Sequence, residues 1–198
     1  TITDADHLLA TFRALLRIAR IESGTHDEAW TDIDLGALLH DAWELYHAVG
    51  EEKEITVHLG AAAGRMRGDR DLIFQAVSNL LDNAIKYSPS GSDVRLEMRD
   101  EDGHLTIIVS DQGPGVPEAE RGKVLDRFYR TATVTGIPGS GLGLSLVNAI
   151  ARHHGGQLVL ADNAPGLRVM LELPKTDSAG PASVPEAGLI RAARPAHH

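Results

Sequence analysis

The sequence has no cysteine, no long hydrophobic run and no excess of basic residues. The absence of cysteine among its 198 residues excludes disulfides, thiol catalysis and zinc sites with thiolate ligands, and it fits a reducing compartment. No apolar stretch approaches the roughly 20 residues of a membrane-spanning helix, and the first residues lack the pattern of a signal peptide. Because the chain begins at Thr1 rather than methionine, we expect it to be part of a longer protein.

Acidic residues outnumber basic residues, 28 to 19, which gives a formal net charge of −9. That balance argues against duplex nucleic acid and anionic membrane surfaces as partners. Hydrophobic residues make up 42% of the chain and charged residues 24%, values typical of globular proteins, so global disorder is excluded. The length predicts one full domain with attachments rather than two domains.

Residues 2–22 have the pattern of a helix with a heptad seam. The apolar positions of this seam, which alternate steps of three and four, are Ile2, Ala5, Leu9, Phe12, Leu16 and Ala19. A helix with such a stripe needs a partner to cover it. The partner is either the core of the same domain or another helix of a bundle, and the pattern favours the bundle. Gly24 is the predicted stop, so residues 1–24 form a separate N-terminal element.

Residues 31–174 mix helical and strand patterns and predict one α/β domain. The predicted helices are residues 35–49, 69–87 and 141–154, the first two with Asp34 and Asp69 as N-caps. The predicted strands are residues 54–59, 93–99, 104–110, 156–161 and 167–173. Residues 175–198 are rich in Ala, Pro and Gly without periodicity, which predicts a flexible tail.

The helix predicted over residues 69–87 carries a polar stripe opposite its apolar face. Gln75, Asn79, Asn83 and Lys86 are spaced four, four and three apart and therefore share one side. Asparagine is a poor helix former, so two of them inside a strong helix suggest a role. Amide oxygens are suitable ligands for Mg²⁺, and a lysine one turn further on suits a phosphate. A solvated polar face is the alternative for this stripe taken alone.

A second candidate site begins where the strand 105–110 runs into Asp111-Gln112-Gly113-Pro114-Gly115. A carboxylate at a strand end can accept a hydrogen bond from an adenine amino group. The glycines allow the backbone to approach a ligand closely. An ordinary Asp/Gly/Pro turn is the alternative explanation of this segment.

A third candidate, Gly139-Ser140-Gly141-Leu142-Gly143, opens the last predicted helix. Glycines at a helix N-terminus leave free N–H groups that suit an anion. The segment is not a P-loop, because no Gly-Lys-Ser/Thr follows. Nor is it a dinucleotide fingerprint, because Leu144 stands where Gly or Ala is required.

Taken together and in this order, the three segments resemble the N box and the two glycine boxes of the gyrase, chaperone, histidine kinase and MutL ATPase superfamily. The matching strings are NLLDNAIKYSPSG (79–91), DQGPGV (111–116), VLDRFYR (124–130) and GSGLGLSLV (139–147). They look most like the catalytic ATP-binding domain of bacterial sensor histidine kinases, and the resemblance covers about residues 31–173. The first helix also resembles the second helix of the family's dimerization and phosphoacceptor hairpin.

This resemblance implies a two-layer α/β sandwich with a mixed sheet covered on one face by about three helices and preceded by one long helix. It implies Mg·ATP as the ligand, with Asn83 as the metal ligand, Asn79 assisting and Lys86 contacting the phosphates. Tyr87 would pack by the ribose or the base, and Asp111 would accept from the adenine amino group.

The remaining residues implied by the resemblance belong to the glycine boxes and the lid. Gly113 and Gly115 would shape the adenine pocket, Phe128 would lie in the lid, and Arg127 or Arg130 would steady the γ-phosphate. The residues that would wrap the phosphates are Gly139, Ser140, Gly141, Leu142, Gly143 and Leu144.

The function implied by the resemblance is phosphoryl transfer from ATP to a histidine on the hairpin, then to a response-regulator aspartate, in a cytosolic part of a membrane-anchored sensor. Asn79 stands where the gyrase and mismatch-repair branches carry a glutamate base, which disfavours hydrolysis because an amide takes no proton. None of the ten histidines has the family's acceptor context, so we expect the acceptor outside this chain. The alternatives are a degenerate kinase and a nucleotide-dependent protein-binding module of the anti-sigma type. We also expect homodimerization through the first helix.

Overall fold

The computed structural model describes residues 2–23, 30–101, 103–134 and 136–175. In the first helix it describes the side chains of residue 9 and of residues 11–22. The predicted tail therefore lies outside the described residues from position 176 onward. The first two positions of the predicted heptad seam, Ile2 and Ala5, lie outside the described side chains.

The described chain contains four α-helices and seven strands, which occur close to the predicted positions. The helices are α1 (Ile2–Glu22), α2 (Leu35–Glu51), α3 (Arg70–Tyr87) and α4 (Gly143–His153). The strands are β1 (Trp30–Asp34), β2 (Thr56–Leu59), β3 (Arg65–Asp69), β4 (Asp93–Glu101), β5 (His104–Ser110), β6 (Gln157–Asp162) and β7 (Leu167–Pro174).

The main sheet has five strands in the order β2-β4-β5-β7-β6. Strands β2 and β4 pair in parallel, whereas the other neighbours are antiparallel, so the sheet is mixed as predicted. The helices α2, α3 and α4 contribute most of the buried side chains that pack on this sheet. The predicted two-layer α/β sandwich preceded by a long helix is confirmed.

A second sheet was not predicted from the sequence. Strands β1 and β3 pair antiparallel over five residues each, and neither is among the predicted strands. In β1 only Ile33 is buried, so the strand shows little of the alternation that marks a half-buried strand. The small sheet leads directly into α2 and α3, whose first residues follow Asp34 and Asp69.

The two predicted helix caps are present. Asp34 has an extended backbone, and its carboxylate accepts a hydrogen bond from the Ala37 N–H at 3.1 Å. Asp69 accepts from the N–H groups of Asp71 and Leu72 at 3.0 and 3.1 Å. These bonds satisfy backbone donors that the first turn of a helix leaves unpaired, and they fix where both helices begin.

The core lies between the sheet and one face of each helix. All eight residues of the predicted apolar face of α3, from Leu72 to Ile85, are buried. The helical pattern of residues 35–49 predicts an apolar face formed by Leu35, Leu38, Leu39, Ala42, Leu45, Tyr46 and Val49. The first four are buried as predicted, but the prediction was wrong at Leu45, which is 54% exposed. Leu45 lies at the edge of the apolar stripe on the helical wheel.

The first helix uses two different faces. Near its C-terminal end, Ile18 and Ile21 are buried in the domain core, where α1 packs on α4. The predicted seam residues Leu9, Phe12 and Leu16 are instead between 46% and 57% exposed. The end of α1 therefore belongs to the domain, while the described part of the heptad seam lies uncovered on another side.

Candidate nucleotide-binding site

A cavity of about 420 Å³ lies between α3, the N-terminal end of α4, the loop after β5 and the segment 116–138. It contains most residues of the predicted site. From α3 and the segment 116–138 come Asn79, Asn83, Lys86, Tyr87 and Arg130. From the loop after β5 and the start of α4 come Asp111, Gly115, Gly139, Ser140, Gly141, Gly143 and Leu144. Three separate sequence motifs thus line one cavity.

Four predicted site residues do not line the cavity. Arg127 points elsewhere, because its guanidinium makes two hydrogen bonds at 2.6 and 2.7 Å to the Glu22 carboxylate at the end of α1. Phe128 is 56% exposed, and Leu142 is buried beneath the start of α4. Gly113 lies behind Asp111, to which its N–H donates a hydrogen bond at 2.8 Å.

The two asparagines of α3 face the start of α4. A β-carbon built on Gly143 would lie 3.2 Å from Asn83 Nδ2 and 3.7 Å from Asn79 Oδ1, so the glycine allows this close approach. The Asn79 amide donates to the Gln75 carbonyl at 2.9 Å, which leaves its Oδ1 as an acceptor. Both amide groups therefore lie in the cavity beside the helix terminus.

The N-terminus of α4 has the properties of an anion site. No side chain caps it, and the first bond across the turn runs from the Leu146 N–H to the Leu142 carbonyl at 2.9 Å. The preceding N–H groups of Gly143 and Leu144 have no intrahelical acceptor and lie at the cavity. The helix dipole adds partial positive charge at this end.

Two cationic side chains border the same cavity. Burial lowers the pKa of Lys86, Asp82 opposes that effect, and the positive charges of Arg130 and Lys53 lower it further. Lys86 Nζ lies only 2.5 Å from the position that a β-carbon on Gly139 would occupy. A bound anion would relieve the repulsion among these cations and stabilise the charged lysine.

Arg130 is held within the segment 116–138 as well as lining the cavity. Its Nη2 donates to the carbonyls of Val134, at 2.6 Å, and of Ile137. Its Nε is buried and has no hydrogen-bond partner among the described residues. Of the two arginines implied by the resemblance, Arg130 is the one that the fold places at the cavity.

Asp111 is the buried carboxylate of the cavity, at 8% exposure. Burial raises its pKa, while hydrogen bonds from the Gly113 and Leu167 N–H groups lower it. Both bonds, at 2.8 and 3.1 Å, go to Oδ1. The carboxylate is therefore fixed through one oxygen, and the hydrogen bonds of the described residues leave Oδ2 for a ligand.

Sequence reasoning missed most of the apolar lining and one acidic group. Besides the predicted residues, the cavity is lined by Asp82, Val109, Val116, Val124, Tyr129, Leu167 and Val169, among others. Val109, Leu167 and Val169 have only the pattern of buried strand positions, and nothing in their spacing distinguishes a core contact from a cavity wall. An apolar cavity with a few convergent polar groups is typical of a small-molecule site.

The sequence matches the family described as histidine kinase-, DNA gyrase B- and HSP90-like ATPases over residues 68–177. The chain belongs to this family. Among curated relatives, the signal transduction histidine-protein kinase/phosphatase MprB of Mycobacterium leprae (strain TN) is 41% identical over 137 residues, which are 69% of this chain and 26% of the relative. The chain spans only about a quarter of the length of such relatives.

Solved structures agree with this assignment. A mycobacterial sensor histidine kinase MprB structure is 34% identical with a TM-score of 0.65, covering 73% of this chain and 96% of that one. Full-length ShkA in complex with AMPPNP is 26% identical with a TM-score of 0.78, covering 91% of this chain and 38% of that one. The predicted relationship to histidine kinase catalytic domains is confirmed.

Two properties of the described residues bear on the type of site and protein. No group of three or more His, Asp or Glu side chains in the described part of the chain is arranged to hold a metal ion. None of the described helices is both long enough and apolar enough to cross a bilayer.

Proposed function

We propose that this chain is the ATP-binding catalytic part of a two-component sensor histidine kinase. It binds Mg·ATP and transfers the γ-phosphoryl group to a histidine on a phosphoacceptor hairpin. The observation that carries the proposal is the convergence, in one cavity, of the Asn79 and Asn83 amides, the uncapped start of α4 and the buried carboxylate of Asp111.

Asp111 recognises the adenine base in this proposal. Its Oδ1 is held by two backbone N–H groups, so Oδ2 accepts a hydrogen bond from the exocyclic amino group. Guanine carries a carbonyl oxygen at the equivalent ring position, and two acceptors repel each other. The apolar walls formed by Val109, Leu167 and Val169 bury the faces of the base.

The residues present fit a magnesium ion that is bound mainly through phosphates. The described chain offers no carboxylate and histidine cluster, but Asn83 and Asn79 supply amide oxygens beside the phosphate-binding helix terminus. Mg²⁺ prefers oxygen ligands and keeps several waters together with substrate phosphates. When bound, the ion neutralises charge on the phosphate oxygens.

The side chains favour transfer to a nucleophile over hydrolysis. Asn79 cannot accept a proton, so it does not activate water as a glutamate at this position would. A histidine nitrogen needs no such base, since its lone pair forms the new bond to phosphorus as the bond to the bridging oxygen breaks and ADP leaves. Lys86, Arg130 and the α4 N–H groups hold the phosphates in line for this step.

The acceptor histidine is proposed to come from the hairpin to which α1 contributes its second helix. His154 is unsuited to accept, because it is 2% exposed and both ring nitrogens are engaged within the domain. From the hairpin histidine, the phosphoryl group passes to an aspartate of a response regulator. We place these steps in the cytosol, in a protein anchored to the membrane elsewhere.

Labelling with ATP that carries its label on the γ-phosphate tests the proposal. The 198-residue chain alone should remain unlabelled, and addition of the hairpin from the full-length protein should give acid-labile label on the hairpin histidine. Asn83→Ala should abolish this transfer, whereas Asn148→Ala, on α4 but outside the lining of the cavity, should not. Acid-labile label on the chain alone would identify one of its own histidines as acceptor.

The same experiment separates the two alternatives. A chain that binds ATP but never labels its cognate hairpin is a degenerate kinase that signals by contact. Acid-stable label on a protein hydroxyl group would indicate the anti-sigma type of binding module. The exposed seam of α1, at Leu9, Phe12 and Leu16, argues against the anti-sigma type of module. The intact Asn83, Asp111 and glycine-rich segments argue against a degenerate kinase.

A further inference from the structure

The turn between β6 and β7 packs against the carbonyl of Asp111, although the two segments are more than 50 residues apart. The Asn163 side-chain amide donates a hydrogen bond to the Asp111 carbonyl oxygen at 2.7 Å. The Asn163 backbone N–H donates to the Gly166 carbonyl at 3.1 Å and closes the turn. Asn163 therefore connects the shape of this turn to the position of the Asp111 backbone.

Arg168 sets the orientation of the Asn163 amide. Its Nη2 donates to Asn163 Oδ1 at 3.0 Å, so the oxygen faces the guanidinium and the NH₂ group faces Asp111. Arg168 Nε also lies 3.4 Å from the hydroxyl of Ser110, its cross-strand partner on β5. The arginine thus ties the turn to the residue immediately before Asp111.

Gly166 allows the turn to lie directly on Asp111. A β-carbon at this position would be 1.9 Å from the Asp111 carbonyl oxygen, far inside any real contact, and its φ of +113° also disfavours other residues. A β-carbon on Gly115 would in turn be 2.9 Å from the Gly166 carbonyl. The turn and the loop after β5 therefore interlock.

The contacts extend to the recognition carboxylate itself. Leu167, the residue that follows the turn, donates its N–H to Asp111 Oδ1 at 3.1 Å and accepts from the Asp111 N–H at 2.9 Å. Leu167 lines the cavity, whereas Asn163 and Arg168 do not. Any effect of those two residues on a ligand must therefore pass through Asp111 and Leu167.

We propose that Asn163, oriented by Arg168, is a positioning residue that fixes Asp111 for recognition of the adenine base. This inference rests on the proposed function. Without the amide, the Asp111 carbonyl loses a donor and the loop is held by fewer bonds. The carboxylate then samples more positions, which weakens a contact that depends on direction.

Asn163→Asp is the sharpest variant, because it keeps the size of the side chain and an oxygen for Arg168 but replaces the donor facing Asp111 by an acceptor. We expect ATP and ADP to bind about tenfold more weakly, as for one lost hydrogen bond. Inorganic tripolyphosphate, which has no base, should bind as it does to the wild type. Asn148→Asp on α4 introduces the same charge away from the cavity and should leave both affinities unchanged.

A double-mutant cycle with Asp111→Asn distinguishes positioning from a general structural role. If Asn163 acts through Asp111, the loss caused by Asn163→Asp should largely disappear in the Asp111→Asn background. Calorimetry supplies the ATP affinities needed for the cycle. The same measurement with GTP shows how well each variant discriminates adenine from guanine. Asn163→Ser, which is smaller and uncharged, should also lose affinity for nucleotides but not for tripolyphosphate. It replaces Asn163→Asp in the experiment if the Asp variant does not fold.

Three results would overturn the inference. The first is an ATP affinity that is unchanged in both Asn163 variants. The second is an equal loss of affinity for ATP and for tripolyphosphate. The third is full additivity of the Asn163 and Asp111→Asn losses in the double mutant. A wild-type chain that binds neither ATP nor tripolyphosphate would instead refute the proposed function, so the two failures are distinguishable.

Discussion

His154 is a buried histidine whose two hydrogen bonds require a neutral ring, which makes the stability of the domain depend on pH. Its Nε2 accepts from the Asp69 N–H at 3.0 Å, and its Nδ1 lies 2.9 Å from the Ile150 carbonyl. Since an N–H only donates and a carbonyl only accepts, the proton must be on Nδ1. A second proton on Nε2 would oppose the Asp69 N–H, at the residue that caps α3.

The direction of the pH effect follows from the pKa of His154. Burial lowers this pKa, the hydrogen bond to Ile150 opposes the shift, His153 lowers the pKa further and Asp69 raises it. In the unfolded chain a histidine takes up its proton near pH 6.5, whereas His154 in the folded chain takes it up only at a lower pH. Below about pH 6.5 the unfolded state binds more protons, so the free energy of unfolding falls as the pH falls. The loss cannot exceed about 1.4 kcal/mol per pH unit, which is the limit for a difference of one bound proton.

Urea unfolding at pH 7.5, 6.5 and 5.5 measures this effect in the wild type and in His154→Gln. At pH 7.5 the variant should be less stable by about 1–3 kcal/mol, because the buried Asp69 N–H loses its acceptor. Between pH 6.5 and 5.5 the wild type should lose more stability than the variant, because only the wild type has the buried ring that must take up a proton. Asp111, whose pKa is raised by burial, favours stability at lower pH, but it is present in both chains and cancels in the difference. His40→Gln, at an exposed position of α2, is the control and should keep the wild-type slope. Identical pH slopes in the wild type and His154→Gln would refute the reasoning.

Three other predictions concern the ligand, the segment over the cavity and the first helix. Asn83→Ala should weaken the binding of Mg·ATP by roughly tenfold to a hundredfold, because the amide is a proposed metal ligand. It should weaken the binding of ATP without Mg²⁺ much less. Calorimetry with and without the ion would show equal losses if the amide does not bind the metal. The backbone amides of residues 116–134 should exchange hydrogen rapidly in the free chain, because short turns bury little apolar area, and slowly when an ATP analogue is bound. Equal protection in both states would contradict the role of this segment as a lid. Leu16→Glu should convert any dimer to monomer in sedimentation because it places a charge on the exposed α1 seam, whereas Arg17→Glu should have less effect; a wild-type chain that is monomeric at all concentrations would contradict self-association.

The positions along the chain of the helices and of the five strands of the main sheet were predictable because local physics determines them. Asp69 precedes an apolar stripe of helical period, and the structure places its carboxylate on the first N–H groups of α3 as that pattern predicts. The hairpin of β4 and β5 was visible as two alternating segments around residues 101–103. Such signals need no knowledge of distant residues.

Contacts between distant residues were not predictable by the same means. Arg127 and Arg130 are equally good candidates in the sequence, and only the position of Glu22, 105 residues away, shows that Arg127 is engaged outside the cavity. The small sheet was missed for a similar reason. Gly68 in β3 weakens the strand signal, yet a β-carbon there would be 2.8 Å from the His154 ring, so the glycine serves a contact with α4.

The candidate site combines both kinds of information. The predicted residues that line the cavity lie in compact segments, because a helix face or a glycine-rich turn presents several groups at fixed spacing. The residues that hold Asp111 in place lie elsewhere: Asn163, Gly166 and Arg168 belong to no recognised motif, and their contacts with residues 110–112 are visible only in the fold. A chain that keeps every motif but carries a larger residue in place of Gly166 would look intact by sequence. The β-carbon of that residue would nevertheless collide with the Asp111 carbonyl. Conservation of the motif strings is therefore insufficient to define a functional adenine pocket in this fold.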